Sequence, residues 1–248
     1  MRSDLFPTTR RAALALAAGL VLASAPAQAQ EGPKKIRIGV IGAGNIGGTL
    51  GTLWVKDGHE VMFASRHPET LKPLVDGLGP KAKAGTPEEA VRFGDAVFLA
   101  VPYKAYPELS KEIGPALKGK VVLDAGNATQ RRDGPLYDEA KADGIGATTA
   151  KYFPGARIVR AFNAANYKVF EKAGANGGRD RAGGRMGIPI AGDDPEALKV
   201  AEGLVRDAGF DPVVVGPLKD ADKFAMGSPG FGHDVTAPEL RKTLGLAQ

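Results

Sequence analysis

The chain has 248 residues, 43% of them hydrophobic, with 33 Lys and Arg against 28 Asp and Glu, a formal charge of +5 and no cysteine. The lack of thiols excludes disulfides, thiolate metal sites and a cysteine nucleophile together. The positive excess is too weak and scattered to argue for nucleic acid. Length and apolar content suffice for one well-cored domain, alone or with a smaller lobe, and no repeat, heptad or low-complexity array interrupts it.

Residues 1–29 read as an export signal. Arg2, Arg10 and Arg11 give a basic start, residues 12–23 are apolar, and Ala27-Gln28-Ala29 is a small-x-small cleavage site. An apolar run of about a dozen residues is too short for a bilayer, which takes about 20. Thr9-Arg10-Arg11 adds a twin-arginine signature, the route that exports proteins already folded. The alternative is an ordinary secretory signal with two adjacent arginines. Either way the expected location is exported and periplasmic. Loss of this segment removes three arginines and one aspartate, so the formal charge falls from +5 to +3.

Residues 36–41 form a β-branched apolar run, expected as a buried parallel strand. Gly42-Ala43-Gly44-Asn45-Ile46-Gly47 follows at once. Helical spacing (Ile46, Leu50, Leu53, Trp54) then continues to about Asp57, Gly58 stops the helix, and residues 59–64 read as a second strand. The glycine pattern alone is weak, but between a strand and a helix it predicts dinucleotide binding. Gly42 allows the tight turn, Gly44 lets the backbone approach a pyrophosphate, and Gly47 lets helix and strand pack closely. The helix N-terminus would hold the phosphates.

The end of the second strand indicates which dinucleotide. A site for NAD places Asp or Glu there, about 20 residues past the glycines, for the ribose 2′-hydroxyl. Here the place holds Ser65-Arg66-His67. A hydroxyl and a guanidinium donate to a 2′-phosphate that a carboxylate would repel. The expected cofactor is NADP(H).

GVIGAGNIGGTLGTLWVKDGHEVMFASRHP resembles the N-terminal domain of the NADPH-dependent deazaflavin (coenzyme F-420) reductases, and the NADP-binding domains of membrane ferric reductases are similar to it. The resemblance runs from about Ile36 to the C-terminus; IPIAGDDPEALKVAEGLVRDAGFDPVVVGPL is a second similar stretch. It implies that Ser65 and Arg66 take the 2′-phosphate, with His67 at a third position of that pocket.

Residues 69–78 read as a helix broken near Pro73, and Thr86-Pro87-Glu88-Glu89 as the start of another ending near Gly94. Residues 95–101 form a strand, so Ala100, Val101, Pro102 and Tyr103 are expected in the cofactor cleft at its carboxyl end. Tyr103 either stacks on a ring or covers the core. After a strand at 120–124, Asn127 offers a donor and an acceptor for the nicotinamide carboxamide or ribose, or else turns back on its own backbone. The resemblance adds a polar residue in this loop. A helix at 145–153 and a strand at 157–162 end in Asn163, which the resemblance places under the nicotinamide face. The glycine-rich loop 176–187 carries Arg179, Arg181 and Arg185, either as a solvated loop or as a lid over an anionic substrate. Strands at 188–191 and 211–215 flank a helix capped by Asp193-Asp194-Pro195, residues 218–226 read as a helix, and the chain ends in a short one. His233 and Asp234 are adjacent and expected as a surface pair.

The expected architecture is α/β: a Rossmann doubly wound parallel sheet at 35–165, and a small C-terminal α/β extension at 166–248. No Ser-His-Asp order, metal-ligand spacing or paired carboxylates stand out, so the chemistry would lie in the cofactor. The expected function is hydride transfer between NADPH and a flavin-like or deazaflavin (F-420) acceptor, a small molecule, with no catalytic side chain, no nucleic acid and no membrane span. A homodimer is compatible with the pattern. The alternative is a non-catalytic exported NADP(H)-binding protein, a sensor or carrier.

Overall fold

The computed structural model describes residues 35–247, in which strands and helices alternate. The segment read above as an export signal lies outside these residues. Among the described residues no helix is long and apolar enough to cross a membrane.

The first half contains β1 (Arg37–Ile41), α1 (Asn45–Asp57), β2 (Glu60–Ala64), α2 (Lys72–Leu78), β3 (Ala82–Gly85), α3 (Pro87–Phe93) and β4 (Ala96–Leu99). It continues with α4 (Tyr106–Leu117), β5 (Val121–Asp124), α5 (Gln130–Asp133), α6 (Pro135–Asp143), α7 (Ile145–Tyr152) and β6 (Arg157–Arg160). The C-terminal part adds α8 (Tyr167–Ala173), β7 (Gly187–Gly192), α9 (Pro195–Asp207), β8 (Asp211–Gly216) and α10 (Ala237–Thr243).

All eight strands join one sheet in the order β3-β2-β1-β4-β5-β6-β7-β8. The pairs are parallel except β6 with β7, so the C-terminal extension continues the sheet through one reversed strand. The order changes direction between β1 and β4, the topological switch point at which ligands of open α/β sheets bind. Register makes the carboxyl edge flush: Ala64, Ile41, Leu99, Asp124 and Arg160 are successive cross-strand partners.

Buried apolar residues cover both faces of the sheet, as a parallel sheet requires. One layer is built with Leu50 and Trp54 of α1, Phe170 of α8 and Leu204 of α9. The other uses Val91 of α3, Leu109 and Ile113 of α4, and Ile145 of α7. Trp54 is fully buried, meets Phe98 and Phe162 edge to face, and donates its indole N–H to Leu204 O at 2.8 Å. The predicted cap at Thr86 is a full capping box with Glu89, and Asp194 caps α9 while holding Arg157 at 2.6 and 2.8 Å.

Some expectations shift. Residues 218–226 form a 3-10 helix over Leu218–Phe224 rather than a regular one. The strand expected at 157–162 ends at Arg160, because Phe162 takes φ +61° and turns the chain out of the sheet.

Candidate dinucleotide cleft

The turn after β1 has the geometry the glycine pattern predicts. Gly42 sits at φ +94°, where a side chain is strained, and a Cβ there would lie 2.8 Å from Ala100 O. A Cβ on Gly47 would come within 2.0 Å of Gly42 O, so only glycine lets α1 pack against its own entry turn. Gly44 differs: a Cβ there would meet nothing within 4 Å. It faces open space at the start of α1, where no side chain caps the first turn and the first helical bond is Gly48 N–H to Gly44 O at 2.7 Å. The N–H groups of Asn45 and Ile46 are thus available to an anion.

A cleft of about 610 Å³ opens here at the carboxyl ends of β1, β2 and β4. It gathers Gly42, Ala43, Gly44, Ser65, Arg66, Val101 and Pro102 from the predicted set. Ser65 Oγ accepts the N–H of His67 at 3.1 Å, which leaves its hydroxyl proton to donate, and Arg66 is exposed at the rim. A room of this size, an open backbone at Gly44, free helix N–H groups and a Ser-Arg pair across the gap fit a dinucleotide with a 2′-phosphate.

Other predicted residues stand elsewhere. Ile46 and Ala100 are half-buried against the core, and Asn45 borders a separate groove on the far side of Gly44. The His67 side chain points into solvent 3.5 Å from Glu69 and does not line the cleft.

Tyr103 corrects the expectation that it lines the cleft. It is fully buried, its ring centroid lies 4.3 Å from that of Tyr106, and its hydroxyl donates to Ile145 O at 3.2 Å. Burial, with the charge of Asp124 second, pushes its phenol above the ordinary range. The backbone turns inward after Pro102 because the apolar ring is worth more in the core than at the rim.

Asn127 and Asn163 come together, but are not among the residues that line this cleft. Asn127 Nδ2 donates to Asn163 O at 2.7 Å, and Asn163 Nδ2 donates to Phe224 O at 3.1 Å. Asn163 is 2% exposed, and its Oδ1 has no partner among the described residues. Beneath them lies a buried polar cluster that sequence reasoning missed. Asp124 and Arg160, both fully buried, form an ion pair at the carboxyl edge. Asp124 also accepts from Tyr106, from Thr149 Oγ1 at 2.7 Å and from Gly126 N–H at 2.8 Å, while Arg160 donates to Gly126 O. The cluster thereby fixes the loop that carries Asn127.

Lys104, Glu108 and Glu112 also border the cleft and were missed. Their signal is the spacing of Ala105, Glu108, Leu109 and Glu112, obscured by prolines on either side. In the loop 176–187, Arg181 holds Asp234 at 3.0 Å and Gly184 O at 2.9 Å, so one of its three arginines ties the loop to the C-terminal segment. His233 Nε2 bonds Pro229 O instead of Asp234.

The strand order and the glycine turn at the switch point define a Rossmann-type α/β protein with a dinucleotide-sized cleft. Residues 37–128 match the family model described as NADP oxidoreductase, coenzyme F420-dependent. The metalloreductase STEAP3 of Rattus norvegicus is 28% identical over 77% of the chain, and STEAP2 of Homo sapiens 23% identical over 76%. The chain spans about a third of the length of these curated relatives, 36% and 35%. Among solved structures, protein SMa0349 of Sinorhizobium meliloti has a TM-score of 0.69 at 26% identity, over 82% of this chain and 96% of that one. A structure from Arthrobacter sp. FB24, titled an F420-dependent NADP reductase, has a TM-score of 0.63 at 21% identity, over 75% and 87%. The likeness to that structure concerns the fold.

Proposed function

We propose that the protein is an NADP(H)-dependent oxidoreductase that passes hydride between NADPH and a flavin-like or deazaflavin acceptor. One observation carries the reading: the open backbone at Gly44 and the Ser65–Arg66 pair face the same cleft at the switch point. The start of α1 would hold the pyrophosphate, and Ser65 and Arg66 the 2′-phosphate, with Arg66 bidentate. NADPH, when bound, supplies the hydride. The chain's own part is to bind and orient: Val101 and Pro102 shape the cleft, and the Asp124–Arg160 cluster fixes the loop bearing Asn127. The relatives named as metalloreductases make ferric chelates a further acceptor to try.

The test is a fluorescence titration with NADPH and NADH, with Arg66→Ala alongside. Loss of a charge-assisted contact costs about 1.5–3 kcal/mol, so Arg66→Ala weakens NADPH roughly tenfold to hundredfold and leaves NADH nearly unchanged. Equal loss for both nucleotides sinks the 2′-phosphate assignment. NADPH oxidation is then followed with deazaflavin, flavin, quinone and ferric chelate. Turnover with none of them points to the second reading, a binder without an acceptor site.

A further inference from the structure

Asp133 closes α5, and its side chain is fully buried. Oδ1 accepts the backbone N–H of Lys104 at 2.9 Å, while Oδ2 accepts the N–H of Thr129 at 2.7 Å and its hydroxyl at 3.3 Å. Lys104 belongs to the loop after β4, which lines the cleft through Val101, Pro102, Lys104 and Ala105. Thr129 belongs to the loop after β5. The carboxylate therefore joins two loops at neighbouring strand ends. Arg132 completes the join: its Nε and Nη2 hold Asp133 at 3.1 and 3.0 Å, and Nη2 also donates to Asn127 O. Burial raises the Asp133 carboxyl, but the Arg132, Thr129 and Lys104 hydrogen bonds outweigh it and keep the group below its ordinary 3.8, so it is ionised at neutral pH.

The direction of a dinucleotide across the cleft gives this join its meaning. Ser65 and Arg66, past the end of β2, set the 2′-phosphate end, and the pyrophosphate falls to the start of α1. The nicotinamide end then runs past the switch point, toward the ends of β4 and β5. Those are the two ends that Asp133 ties together. We infer that Asp133 is a positioning residue for the nicotinamide half: it sets the β4 loop against the β5 loop and has no part in holding the adenosine half. The inference rests on reading the cleft as the NADP(H) site and adds the residue that shapes its second half. The side chain must be a carboxylate, because an amide of the same shape offers one acceptor and one pair of donors. Its NH2 would face either the Lys104 N–H or the Thr129 N–H, donor against donor, so one loop comes loose. Arg132 loses its counterion in the same change. A bound ring needs its surroundings held to about 0.5 Å, so the loosening acts on the nicotinamide and spares the phosphates on α1 and Ser65–Arg66.

Calorimetric titrations compare wild type, Asp133→Asn and Arg132→Gln with two ligands: NADPH, and 2′,5′-ADP, which carries the adenosine and 2′-phosphate without nicotinamide. The fluorescence of bound NADPH is read alongside, and thermal unfolding confirms that each protein is folded. Asp133→Asn is expected to weaken NADPH roughly tenfold, to leave 2′,5′-ADP within about twofold, and to move the bound emission toward that of free NADPH. Arg132→Gln keeps both N–H contacts of Asp133 and is expected to weaken NADPH in the same direction, by roughly threefold. It carries the test alone if Asp133→Asn does not fold. Equal weakening of the two ligands, the result of a merely structural role, overturns the inference. So do unchanged NADPH affinity and emission in the folded variants. Wild type that binds neither ligand removes the cofactor reading and this inference with it. Wild type that binds both, with variants that match it, removes the inference alone.

Discussion

At the scale of residues, Gly44 and Gly47 make opposite demands although they belong to one motif. Gly47 is steric: its Cβ would collide with Gly42 O at 2.0 Å, so Gly47→Ala is expected to lower the unfolding temperature by several degrees. Gly44 has room and an unstrained φ of −75°, so Gly44→Ala should leave the melting temperature nearly unchanged while weakening NADPH. Thermal unfolding beside a nucleotide titration checks both, and a Gly44→Ala protein that binds normally would separate the turn from the pyrophosphate. These roles were legible because turn sterics are local. Tyr103 and Asn163 were not, since burial of an aromatic or amide at a strand end depends on what packs above it. Phe162 shows the limit most sharply. Its φ of +61° has no local cause and costs about 1–3 kcal/mol, yet edge-to-face contacts with Trp54, Phe98, Phe170 and Phe210 hold it.

At the scale of elements, the first βαβ unit was readable because β1, the glycine turn and α1 each carry their own signal. β3, with the sequence AKAG, lacks β-branched residues and becomes a strand only by pairing with β2. α4 contains Pro107, Gly114 and Pro115, which read as breakers, but Pro107 sits in the first turn and the buried row of Tyr106, Leu109 and Ile113 packs it on the sheet. The element most exposed to mutation is the carboxyl end of β5 and β6. Arg160→Met leaves Asp124 charged, buried and short of its counterion, which costs about 3–5 kcal/mol. Urea unfolding measures this. A cost under about 1 kcal/mol would mean that the Tyr106, Thr149 and Gly126 hydrogen bonds alone suffice for the carboxylate.

For the whole molecule, the Rossmann order followed from alternating strand and helix signals, but the eight-stranded continuity did not, because strand neighbours are tertiary choices. The acid response also belongs to this scale. Asp207, at the end of α9, meets buried His59 Nε2 at 2.9 Å and Lys35 Nζ at 3.3 Å, so it ties the edge of β2 and the entry to β1 onto α9. Burial raises its carboxyl, but the His59 hydrogen bond and the Lys35 charge outweigh that and hold it below the ordinary 3.8. A depressed folded value stabilises fully above 3.8 and is lost as pH falls through the folded value. The expected outcome is a stability that declines on acidification below roughly pH 4. Asp207→Asn is expected to be less stable at neutral pH and to lose less over that acid range. Parallel acid limbs for the two proteins in urea titrations would remove Asp207 from this account.

The reversal of β7 bears on how such a protein can diversify. Since Ala191 faces Arg160 and Gly192 faces Val159, β7 descends from beyond the end of β6, and its entry at Gly187 lies past the carboxyl edge. The connection of residues 176–186 therefore arrives at the carboxyl edge of β1 to β6, whereas a parallel β7 would have delivered it to the opposite edge. Lengthening, shortening or recharging this connection alters what stands over the edge without disturbing a strand.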